Sequence, residues 1–134
     1  MPTQKMYQLA ALVGVGFAAP TIIYLLFLPD PLYGLHLAIF LSTIAGVYLG
    51  FSIADGRVQN IILESTVIAI FVALSIIGLN YSLLILAFGY FAHGVWDCVH
   101  HPKLVTTQVA VWYPPFCAVY DWLITAFVLI YYYL

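Results

Sequence analysis

Five apolar runs, each about as long as the roughly 20 residues that cross a bilayer, take up nearly the whole chain and leave little to fold outside them. They lie at about 6–28, 32–54, 60–79, 81–101 and 113–134. The breaks are Pro29-Asp30-Pro31, Asp55-Gly56-Arg57, Asn80, and the longer segment from Pro102 to Trp112. Backbone polar groups in hydrocarbon must be satisfied within the protein, and an open apolar run does this as a helix. The expected fold class is therefore all-α, a polytopic transmembrane helical bundle of about five spans, with residues 1–134 as a single transmembrane domain in a cell membrane. Hydrophobic residues make up 66% of the 134 positions and charged ones 6%, which leaves no room for a soluble catalytic lobe. The lipid bilayer is the first partner this composition implies.

Charge sets the expected orientation. Three basic residues, Lys5, Arg57 and Lys103, stand against five acidic ones, for a formal charge of -2. A sequence with so few cations has no basic patch, which speaks against nucleic acid and polybasic lipid binding. With five spans, the N-terminus, the 55–59 turn and the 102–112 segment fall on one side, and that side collects all three cations. The positive-inside rule makes it cytoplasmic, with the C-terminus outside. Tyr7, Trp112 and Tyr113 then fall at the inner interface, and Tyr33, Tyr81 and Tyr131 to Tyr133 at the outer one. The first apolar run is longer than the core of a cleaved signal peptide, so it is expected to be a retained helix.

Smaller features refine the bundle. Gly46, Gly50 and Ala54 recur at four-residue spacing, the pattern that lets a second helix approach closely. Pro114 and Pro115 suit the first turn of the last helix, where a missing N–H is no loss. The Val-rich middle of 102–112 is too short to span and is expected to lie at the interface or fold back on the bundle. Cys98 and Cys117 are far from any CxxC spacing, so neither a disulfide framework nor a thiolate cluster is expected.

Ionisable side chains inside a span cost about 2.5 to 3.5 kcal/mol each on insertion scales and tend to mark function. The fourth run concentrates them in AHGVWDCVHHP, with His93, Asp97, His100 and His101. At about 100° per residue, Asp97 lies about 40° from His93, His100 about 20° the other way and His101 about 80° away. Imidazole and carboxylate at that spacing offer N and O ligands to a metal, or form a His-Asp proton relay. In WYPPFCAVYDW, the fifth run brings Tyr113, Cys117, Tyr120 and Asp121 within about 100° of one another, and Thr125 extends the stripe. Counted at 1.5 Å per residue from the inner ends, Asp97 matches Cys117 in depth at about 6 Å, and His93 matches Asp121 at about 12 Å. Glu64, with Asn60 and Arg57 on its face, forms a third wall, although it has an alternative partner in Arg57. His36 lies toward the other end of its span and stands apart from the group.

The blocks AHGVWDCVHH and WYPPFCAVYDW resemble a family of small uncharacterised prokaryotic integral membrane proteins with a His-Gly-x-Trp-Asp element and a Trp-Tyr-Pro-x-Phe-Cys element. The resemblance covers about a quarter of the chain and implies a helical membrane bundle, with no activity attached. A more distant likeness, to intramembrane metal hydrolases that gather three His and an Asp, is an analogy of site composition only.

Three functions fit these residues. In the first, the chain is an enzyme on a lipid-like substrate in which His93, Asp97 and His100 hold Zn or Fe, with Asp121, Tyr120 and Glu64 as catalytic groups. In the second, the same groups form the relay of a small proton-coupled transport protein. In the third, the chain is a non-catalytic subunit of a larger membrane complex or of a homo-oligomer, its polar face turned to a partner.

Overall fold

The computed structural model describes residues 3–134. The described chain holds five helices and no strand: α1 (Gln4–Leu26), α2 (Leu32–Asp55), α3 (Val58–Tyr81), α4 (Leu83–His100) and α5 (Tyr113–Tyr133). All five are long and apolar enough to cross a membrane. The chain is a multi-pass helical bundle whose environment is the lipid bilayer.

The helix ends follow local chemistry. α2 stops at Gly56, which adopts φ 77°, the left-handed conformation that lets a glycine amide turn back onto the last carbonyls. Its N–H donates to Ser52 and Ile53. The break between α3 and α4 falls at Ser82, two residues beyond the expected Asn80; its extended backbone ends one helix, and its hydroxyl accepts from the Leu84 amide to start the next. Pro114 and Pro115 occupy the first turn of α5.

α4 is the centre of the arrangement. It packs most extensively on α5, then on α3 and α2, while α1 lies along α5 and barely touches α2. A helix with neighbours on three sides can keep polar residues out of lipid, and α4 carries most of them. The half of the bundle nearest the C-terminus is apolar, built on Leu25, Leu37, Leu41, Leu86, Ile124 and Val128, all fully buried. The polar groups collect in the opposite half.

Three expectations are corrected here. Tyr33 and Tyr113 are buried, not interfacial: Tyr33 stacks on Tyr131 with ring centroids 4.5 Å apart, and the Tyr113 hydroxyl donates to the Ile44 carbonyl. The Gly46, Gly50, Ala54 face turns outward, and a Cβ added at either glycine would meet nothing within 4 Å, so no helix among the described residues packs there. Arg57 does not pair with Glu64. Its guanidinium is held by Asp55 at 2.8 Å, two residues away, and also donates to the Thr106 carbonyl.

Candidate metal centre

His93, Asp97 and His100 share one face of α4, and the neighbouring helices bury all three to within 5% exposure. His93 Nδ1–H donates to Asp121 Oδ2 on α5 at 2.6 Å and stands 3.5 Å from Asp97 Oδ2, one turn along its own helix. Asp97 Oδ1 in turn accepts from the Tyr48 hydroxyl of α2 at 2.5 Å. Cys117, one turn before Asp121 on α5, completes the group. One donor atom each from His93, Asp97, Cys117 and Asp121 lie within 4.8 Å of one another, with every residue buried.

Gly94 lies beside this meeting. A Cβ there would stand 2.8 Å from Trp122 Cδ1, closer than real side-chain carbons come, so the partly exposed Trp122 ring occupies the space a side chain at 94 would need. Trp122 follows Asp121 directly, so the turn of α5 that meets Gly94 is the one that offers Asp121 to His93.

Hydrogen bonding within the group is incomplete. His93 Nε2, Asp97 Oδ2 and Asp121 Oδ1 are buried without a hydrogen-bond partner among the described residues. A carboxylate oxygen left bare in a low-dielectric interior is costly, because the solvation it lost is not replaced. Two carboxylates facing one imidazole also leave an excess of negative charge, which a divalent cation neutralises. The spacing suits an ion. Tetrahedral bonds of about 2.0 to 2.3 Å place ligand atoms roughly 3.3 to 3.7 Å apart. The His93–Asp97 separation of 3.5 Å is already in that range. The His93–Asp121 contact of 2.6 Å would open by about 0.7 to 1.1 Å, with an ion in place of the Nδ1 proton.

The remaining sequence candidates go elsewhere. His100 donates from Nε2 to Glu64 Oε1 at 2.8 Å and from Nδ1 to the Trp96 carbonyl at 3.0 Å. Both ring nitrogens are thus committed, leaving no lone pair for a metal. Glu64 is fully buried and also accepts from the Thr107 hydroxyl at 2.8 Å and from the Trp96 indole at 3.3 Å. It forms a second polar knot that pins the 101–112 segment onto the bundle, and Thr106 adds a bond to Asn60. Tyr120 is buried on α5, but its hydroxyl points to Thr21 of α1 at 3.3 Å. There it lines a small side cavity of about 220 Å³ with Phe17, Phe40 and Phe116. His101 is exposed, its ring against the edge of Tyr7.

Sequence reasoning missed Tyr48. It sits on the buried stripe of α2 with Leu41, Ala45 and Ser52, and a tyrosine hydroxyl in mid-span needs an acceptor, which was the available signal. Cys117 read more readily as a small core residue than as a ligand until α4 was placed beside it.

No curated protein and no solved structure matches the chain. Residues 9–132 match the model of a family of unknown function, DUF6010. A match over nearly the full length shows that the chain is a member of that family.

Proposed function

We propose that this chain is an integral membrane metalloprotein whose site is the quartet His93, Asp97, Cys117 and Asp121, with Zn or Fe as its ion. The observation that carries the reading is the set of bare donor atoms, Asp97 Oδ2 and Asp121 Oδ1, in a buried group of four ligand-bearing residues. One imidazole, two carboxylates and one sulfur make a borderline donor set, which favours Zn or Fe over Mg or Ca. A divalent ion would offset the charge of the two carboxylates, and Cys117 would bind it as the thiolate, releasing its proton on coordination. Tyr48, bonded to Asp97, would orient that ligand from the second layer.

The site lies inside the bundle, so a substrate would come from the bilayer. The side cavity lined by Phe17, Phe40, Phe116 and Tyr120, beside Asp121 in sequence, fits an apolar chain. The activity that follows is metal-dependent chemistry on a lipid-like molecule, hydrolytic with Zn and oxidative with Fe.

A second reading rests on the contact series Tyr48–Asp97–His93–Asp121, which without an ion makes a proton relay. Titration of the purified, chelator-treated protein separates them. If the quartet is a metal site, Zn(II) or Fe(II) raises the melting temperature of the native chain but not of Asp121→Asn. An equal response in both, or none in either, favours the relay.

A further inference from the structure

A different feature lies at the end of the bundle nearest the N-terminus. A cavity of about 620 Å³ opens there between the α2–α3 turn, the end of α4 and the 101–112 segment. Arg57, His101, Lys103, Thr107 and Gln108 line it, and Pro114 at the start of α5 closes one side. Two of the three basic residues of the chain thus face one space, although they are 46 residues apart in sequence.

The charges around it do not cancel. Asp55 is taken up by Arg57 and by the Asn60 amide. Glu64 is taken up by His100, Thr107 and Trp96. Lys103 is exposed and enters no ion pair or hydrogen bond through its ammonium among the described residues. Arg57 uses Nε and Nη2 for Asp55 and the Thr106 carbonyl, which leaves Nη1 for something else. Hydrogen bonds to Asp55 raise the Arg57 pKa further above its ordinary value, so the guanidinium stays charged. A cavity with an unpaired ammonium, a free guanidinium N–H and the His101 ring is made for an anion. It lies at one end of five helices long and apolar enough to span a membrane, where lipid phosphates come within reach.

We propose that this cavity binds one phosphate group, held by Lys103, Arg57 and His101, and supplied either by a phospholipid headgroup or by a soluble phosphate. This is recognition of a single anion by a shaped cavity and needs no polybasic surface. It is independent of the quartet, so it stands or falls without reference to metal content.

The test uses the full chain in an uncharged detergent, with binding read by native mass spectrometry and thermal shift. The probes are short-chain phosphatidic acid, short-chain diacylglycerol and inorganic phosphate. The expected result is saturable, salt-sensitive binding that weakens about tenfold or more in a Lys103→Ala/His101→Ala double variant, as for loss of charge-assisted hydrogen bonds. Lys5→Ala, at the same end of the bundle but outside the cavity, should leave affinity unchanged. Binding of phosphatidic acid that inorganic phosphate does not displace assigns the site to a lipid, and displacement assigns it to a soluble phosphate. No saturable binding of phosphatidic acid or of inorganic phosphate would overturn the proposal. So would equal affinity in the double variant, or phosphate-free diacylglycerol binding as tightly as phosphatidic acid. Both substitutions are at exposed positions, and an unchanged helical circular dichroism spectrum confirms that the variant is folded.

Discussion

His93 on α4 and Asp121 on α5, 28 residues apart, meet at 2.6 Å with neither side chain exposed. Everything argued for the quartet depends on how that meeting is supported, and each support can be removed separately.

Gly94→Ala should push Trp122 off α4 and draw Asp121 away from His93. Forcing a methyl into a packed helix contact costs about 1 to 3 kcal/mol. The expected outcome is a lower melting temperature together with weaker metal binding. A Gly94→Ala protein with unchanged affinity would mean that α5 reaches α4 without this contact.

Tyr48→Phe deletes the donor to Asp97 Oδ1 while keeping the ring. The carboxylate loses a buried hydrogen bond worth about 1 to 3 kcal/mol. If Tyr48 orients Asp97 as a ligand, metal affinity should fall about 10- to 100-fold, the usual cost of losing an outer-layer partner. Retention of full affinity would reduce Tyr48 to a packing residue.

Glu64→Gln separates the two polar clusters. The 101–112 segment is tied down through Thr107, His100 and Trp96, so the variant should be cut faster by protease within that segment. Its metal content should match the native chain, because His100 belongs with Glu64 and not with the quartet. Loss of metal in this variant would return His100 to the ligand set.

The orientation expected from the positive-inside rule rests on Lys5, Arg57 and Lys103 sharing one end of five spans. Reporter fusions at residue 105 and at residue 134 should report cytoplasm and exterior respectively. The same compartment for both would contradict five crossings with the N-terminus inside.

How much of this was legible in the sequence depends on whether a residue's position is set by its own helix or by a neighbour. His93, Asp97 and Asp121 were legible because helical geometry alone fixes their spacing and depth, and buried charge has to be partnered. The thirds of the bundle carrying Tyr33 and Tyr113 misled, because residues near helix ends read as interfacial until packing turns them inward. Tyr48 depended on α2 crossing α4, which no local pattern states. The Gly46 and Gly50 spacing was real but faces outward, since periodicity defines a stripe without saying what covers it. Glu64 shared a face with Arg57 in sequence, yet a two-residue loop gave Arg57 a nearer partner in Asp55.

The most direct test of the central claim is elemental analysis of protein purified without chelator from cells supplied with Zn and Fe, run beside His93→Ala and His101→Ala. The account predicts about one Zn or Fe per native chain and per His101→Ala chain. His93→Ala should be close to metal-free with its helices intact. Native protein without stoichiometric metal, or His93→Ala protein with the full amount, would contradict it.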